Sequence, residues 1–202
     1  TNLDTALETA VAGQEIWVAE GTYRPTSDHG IAPTDPRWKH FRLKNGVAVY
    51  GGFAGTETTR EVRDWVTHPV ILSGDIGVAG DETDNCYHVF YHANLPMDNS
   101  AVLDGVTITQ GRATGYPYYD GAGMYNYSSN PSLRNVVFED NKATQNGGGI
   151  YNFLSGGLTL RNVTFRRNYA GQAGGGIYNT SGSPTVVDAS FLGNYGGEGG
   201  GL

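Results

Sequence analysis

Cysteine is almost absent from this chain: Cys86 is the only one in 202 residues. A single thiol excludes an internal disulfide and any multi-cysteine zinc site. Set in Cys86-Tyr-His-Val-Phe90, it reads as a small buried apolar residue rather than a nucleophile. Basic residues are also scarce, 13 Lys and Arg against 20 Asp and Glu, for a net charge of −7. Such a chain has no basic stripe and is not expected to partner nucleic acid. No apolar run reaches the roughly 18 residues of a transmembrane helix, and no charged-then-apolar leader opens the chain, so neither a membrane span nor a signal peptide is expected in this segment. The five histidines are scattered without a metal-ligand spacing, and no Gly-x-Ser-x-Gly occurs. Gly51-Gly52 lacks the Gly-Lys-Ser/Thr ending of a phosphate loop, so backbone turning is the better account of it.

Glycine, by contrast, is abundant, with 31 residues, too periodic for disorder and without the every-third spacing of collagen. Gly147-Gly-Gly-Ile-Tyr-Asn152 returns as Gly174-Gly-Gly-Ile-Tyr-Asn179 and as Gly199-Gly-Gly-Leu202, with a looser copy at Gly121-Ala-Gly-Met-Tyr-Asn126. A second motif runs in phase with it: Phe138-Glu-Asp-Asn141, Phe165-Arg-Arg-Asn168 and Phe191-Leu-Gly-Asn194. Two motifs locked to one period of about 26 residues mark a stacked-repeat architecture.

What lies between the motifs predicts the type of repeat. Leu158-Thr-Leu160 and Val163-Thr-Phe165 are short alternating runs separated by the corner Arg161-Asn162. A polar loop is expected after Asn168, and the glycine run then leads into Ile177-Tyr-Asn179 as a third strand. Three strands and three corners close one coil, and stacking such coils gives an all-β, right-handed parallel β-helix of roughly seven coils. The hand follows from the general rule for parallel crossovers. In-register stacking would set Glu139 and Asp140 against Arg166 and Arg167, and Arg134 against Arg161.

A single domain over 1–202 is expected. Leu3, Ala6, Leu7, Ala10 and Val11 give a helical stripe, predicting a capping helix over 2–12. Residues 14–100 read as irregular coils with loop excursions at 26–40 and 59–67, and 101–202 as regular repeats. Opening at Thr1 and closing in mid-motif at Leu202, the chain reads as a piece of something longer, and further coils of the same protein or of neighbouring subunits are its first expected partners.

The pairing of Gly-Gly-x-Ile/Leu with Phe-x-x-Asn resembles the repeats of the polymorphic outer-membrane proteins and the wider set of bacterial surface proteins with a right-handed parallel β-helix. Ile16-Trp-Val-Ala-Glu-Gly-Thr-Tyr23, Tyr50-Gly-Gly-Phe-Ala-Gly-Thr-Glu57 and Ile71-Leu-Ser-Gly-Asp-Ile76 look like the amino-terminal part of large secreted proteins in that set. Residue 149 and its copies are Gly where the outer-membrane proteins often have Ala. The resemblance implies export, an extracellular or cell-surface site, and adhesive or matrix roles, with no catalytic residues to carry over.

Several residues are weighed as sites. Asn141, Asn168 and Asn194 at one corner, with Phe138, Phe165 and Phe191 inside, read as structural ladders. Asn135 and Asn162 sit where a corner needs positive φ. Tyr125, Tyr151 and Tyr178 form an outward column that could offer a flat platform to sugar rings or another protein. Asp75, Asp81, Glu82 and Asp84, with Asn85, share one loop and are the candidate calcium ligands, although their spacing matches no known calcium-loop pattern and a solvated loop is the simpler reading. No other cofactor is expected. The primary functional reading is a non-catalytic surface or matrix protein. A carbohydrate-binding module and a polysaccharide lyase or glycosidase are the alternatives, the enzymes weakened because the outward acids of the regular coils already face arginines.

Overall fold

The structure, a computed structural model, describes residues 2–115 and 119–202. Among these residues the chain is β-rich, with one α-helix and three sheets whose strand pairings are all parallel.

The first sheet holds two rows of strands. One row stacks Glu15–Ala19, Ala48–Phe53, Val102–Asp104, Ser132–Arg134, and then the long strands Thr159–Arg166 and Thr185–Leu192. The other stacks Gly21–Tyr23, Val70–Ser73, Thr107–Thr109 and Val137–Glu139 onto the second halves of the same long strands. Each row is six strands deep among the described residues, one short of the roughly seven coils expected. The two runs predicted as separate strands around Arg161-Asn162 are one kinked strand in a single sheet. Asn162 bends it with a left-handed φ of +52°, as Asn135 does at +50° and Asp188 at +56°; such residues tolerate this conformation because a short polar side chain can bond locally.

The second sheet pairs Arg112–Ala113, Lys142–Ala143, Tyr169–Ala173 and Tyr195–Glu198. The stretch after Asn168, expected as a polar loop, is therefore a strand. Its inward residue, Ala170, is small and the rest are exposed or half-buried, so no apolar alternation marks it in the sequence. The third sheet pairs Phe90–Met97, Met124–Ser129, Ile150–Phe153 and Ile177–Thr180.

Leu103, Leu133 and Leu160, with Ile108, Phe138 and Phe165, point inward from the first sheet; Met124, Ile150 and Ile177 meet them from the third in one continuous buried cluster. Beside it, Ala113, Ala122 and Ala143 form a small separate cluster. Helix α1 spans Leu3–Thr9, capped by Asn2, whose side chain accepts from the Asp4 N–H at 2.9 Å. It is shorter than the predicted 2–12, because the backbone leaves helical geometry at Ala10 and Val11 points to solvent. Leu3 and Leu7 bury into the main core. The excursion at 26–40 is tied down by Trp38, itself buried, and that at 59–67 by an Arg63–Asp104 ion pair at 2.8 Å with both side chains over nine-tenths buried.

Candidate functional site

Along each strand of the third sheet the side chains alternate. Ile150 and Asn152 face in while Tyr151 and Phe153 face out, half-buried. Register then places Tyr91, Tyr125, Tyr151 and Tyr178 in one outward row. Successive ring centroids are 5.1, 5.1 and 5.6 Å apart, with planes 24°, 16° and 8° from parallel. Coplanar rings cannot approach so closely. The tyrosines therefore lean face over face along the stack, and what they turn outward is edges and hydroxyls. The flat platform expected of Tyr125, Tyr151 and Tyr178 is not formed, since each inner ring has its faces taken by its neighbours.

Tyr91, which opens the row, was not foreseen. It follows Phe90 and precedes His92 as Tyr151 follows Ile150 and precedes Asn152, so the apolar-Tyr-polar triplet carried the signal without the glycine run. Trp38, His40 and His88 pack around it at centroid distances of 5.3, 5.3 and 5.0 Å. Burial raises the phenol pKa of Tyr125 and moves that of Tyr151 to about 12, with the Asp120 carboxylate and Tyr178 adding to the latter. These hydroxyls are proton donors at any physiological pH. Beside the row, Asp120 Oδ1 accepts from the Asn146 N–H and side-chain amide at 2.9 and 3.0 Å. A polar hollow of about 490 Å³ lies between Asn146, Gln172, Tyr178 and Glu198.

The asparagines at the corner between the first and second sheets form a continuous ladder. Asn141 Nδ2 donates to Asn168 Oδ1 at 3.0 Å, and Asn168 Nδ2 to Asn194 Oδ1 at 3.0 Å. The same amides also reach back to the carbonyls of Ile108, Phe138 and Phe165. Phe138, Phe165 and Phe191 stack at 5.1 Å within 9° of parallel; the first two are fully buried, whereas Phe191 is 36% exposed. A second polar column lies on the inner side of the third sheet and was not foreseen. His92 Nδ1 pairs with Asn126 Oδ1 at 2.9 Å, and Asn152 Nδ2 donates to Asn179 Oδ1 at 2.7 Å. The recurring Asn of Tyr-Asn was its signal.

The candidate calcium ligands do not converge. Asp81 Oδ1 accepts from the Thr83 N–H and hydroxyl, and Glu82 pairs with Arg112 at 2.7 Å. Asp84 accepts from the Val78 N–H at 2.7 Å, and Asp75 lies 3.8 Å from Arg24. Among the described residues no three His, Cys, Asp or Glu side chains are grouped to hold a metal ion. Each carboxylate of the loop instead closes a local turn or meets an arginine, because acids in short turns find backbone N–H groups first. Arg167 pairs with Asp140 at 2.8 Å and with Glu139 at 3.0 Å. Cys86 is fully buried, and its thiol is pushed up to about 12 by loss of water, far from nucleophilic character.

Residues 135–152 and 162–180 match the family model of the Chlamydia polymorphic membrane protein repeat. The two matched stretches lie in neighbouring repeats and each runs from a corner asparagine to a strand of the third sheet. No curated protein and no solved structure matches the chain. Among the described residues no helix is long and apolar enough to cross a membrane.

Proposed function

We propose that this chain is a non-catalytic structural or adhesive segment displayed at a bacterial cell surface, built as a right-handed parallel β-helix with α1 lying over one end. The observation that carries the reading is the shared register: asparagines and phenylalanines 26 or 27 residues apart stack directly on one another, within stretches similar to the repeat of a membrane protein. The hand is that of nearly all parallel crossovers. Stacked repeats of this kind give a long rod with continuous columns on its faces, which suits display and contact at a distance rather than an enclosed reaction centre.

Carbohydrate binding is the second reading, favoured by the row of outward tyrosine hydroxyls beside the Asn146–Glu198 hollow. It calls for edge-on hydrogen bonding to sugar hydroxyls rather than stacking on ring faces. Antibodies raised against residues 1–202 are expected to label intact cells of the source organism. Labelling only after permeabilisation would overturn the surface reading. On a glycan array, binding that disappears in Tyr151→Ala would move carbohydrate recognition to first place.

A further inference from the structure

The hollow between α1 and the segment around Arg42 carries opposite charges on opposite walls. Asp4 and Glu8, one turn apart, lie on the same face of the helix, and Arg42 and Lys44 approach from the other side. Leu7, Leu43, Leu95 and His29 complete the lining of a space of about 250 Å³. That is below the roughly 300 Å³ at which sites for drug-sized ligands begin, so only a small molecule fits.

Arg42 is partly buried in this lining without a counter-charge. Its Nε donates to His40 Nε2 at 3.0 Å, but among the described residues no carboxylate stands within ion-pair distance of it. Arg24, Arg60, Arg63, Arg112, Arg166 and Arg167 each have one; of the others without one, Arg37 is held by the carbonyls of Asn85 and Arg112 and by the Tyr87 ring, and Arg134 and Arg161 are exposed to water. Partial burial lowers the Arg42 pKa, the direction expected of a cation losing water without gaining an anion. Lys44, by contrast, is engaged, donating to the Ala10 carbonyl at 2.6 Å and the Glu8 carbonyl at 3.3 Å.

The acidic wall is incomplete in the complementary sense. Asp4 is 3% exposed and burial raises its pKa; while Oδ2 accepts from the Thr26 hydroxyl at 2.7 Å, Oδ1 meets no donor among the described residues. Glu8 is half exposed, and the cation nearest it is His29 at 3.7 Å, whose pKa burial depresses, so that this histidine is neutral at pH 7. Two acids and two bases around one small space balance in charge. An anion would be repelled by the helix wall and a cation by Arg42.

We infer that this hollow binds a small zwitterion with an apolar body, the chemistry of a free α-amino acid bearing an aliphatic or aromatic side chain. The ligand's carboxylate takes the two outer nitrogens of Arg42, a fork whose geometry matches a carboxylate. Its ammonium turns to the Glu8 side, and its hydrocarbon covers Leu7, Leu43 and Leu95. A second hollow of about 260 Å³ continues from Leu43 and Leu95 to Met97, giving space to the larger side chains. The inference is independent of surface display.

The test is a titration of the 202-residue protein with L-leucine, L-leucinamide and N-acetyl-L-leucine, followed by calorimetry and by amide chemical shifts. Leucine is expected to bind and to shift the amides of Leu7, Arg42 and Leu43, while removing either charge from the ligand weakens binding by about tenfold or more. Arg42→Gln and Glu8→Gln should each lose a similar factor with far-UV circular dichroism unchanged. Glu8→Gln, on the helix surface, keeps the test sound if Arg42→Gln unfolds. Absence of shifts at tens of millimolar leucine, or binding of either capped analogue as tight as that of leucine, would overturn the inference.

Discussion

At the scale of single residues, the glycine run shows how a backbone can approach so closely that a side chain is excluded. A Cβ on Gly149 would sit 2.5 Å from the carbonyl oxygen of Gly176 and 2.9 Å from Phe165 Cδ1. One obstacle is backbone, and the other is a ring locked between two stacked partners, so neither can yield. Gly149→Ala is therefore expected to cost about 3 kcal/mol or more. Gly156, whose added Cβ would meet nothing within 4 Å, is the control: Gly156→Ala should be neutral or stabilising by about 0.5 kcal/mol. Urea denaturation of the two variants checks the contrast, and similar midpoints would show that the spacing at Gly149 relaxes without cost.

At the scale of elements, the acid response should be governed by histidines that pin the irregular segments to the third sheet. His92, fully buried, accepts the Leu43 N–H at Nε2 over 3.1 Å, and His40 accepts from Arg42. A protonated ring can do neither. Burial lowers the pKa of His88 and His92 to about 4 and that of His40 to about 2. The unfolded chain, with ordinary histidines near 6.5, binds protons first as pH falls, so stability is full above about 6.5 and declines toward 4. His92→Asn, which copies its column neighbours Asn126 and Asn152, should reduce the slope of stability against pH in that window by about one proton. A denaturation midpoint that stays level between pH 6.5 and 4.5 would refute this account.

At the scale of the whole molecule, the regular half is a register that can be shortened by one unit. Asn141 and Asn168 are 27 residues apart and bonded through their side chains. Deleting residues 142–168 joins Asn141 to Tyr169 and lets Phe138 stack on Phe191 and Met124 pair with Ile177. The shortened chain is expected to keep a β-dominated far-UV spectrum and a cooperative melt, with lower stability from the loss of one repeat and one interface. Deleting only residues 142–155 moves every following side chain out of its column and should leave the protein unfolded. Equal behaviour of the two deletions would mean that register is not what holds the stack.

Much of this was legible in the residues alone, because parallel stacking writes its spacing directly into the chain. The 26- to 27-residue period, the Asn141–Asn168–Asn194 ladder and the left-handed corners at Asn135 and Asn162 all depend on residues repeating at fixed intervals, and periodicity is a property of sequence. The strand Tyr169–Ala173 was not legible, since its inner side needs only an alanine where the sheets converge and so carries no apolar alternation. Nor was the stance of the tyrosines. Spacing places Tyr125, Tyr151 and Tyr178 in a row, but whether rings lie flat or lean on one another is decided by the inter-strand distance, which is too short for them to lie side by side. The loop acids show the same division, because proximity in the chain brought Asp75, Asp81, Glu82 and Asp84 within ten residues while local backbone donors and Arg112 drew them apart. Arg42, which meets no carboxylate among the described residues, and its facing acids come from segments more than thirty residues apart, with no period linking them, and only the packing of α1 against the segment around Arg42 brought those charges around one space.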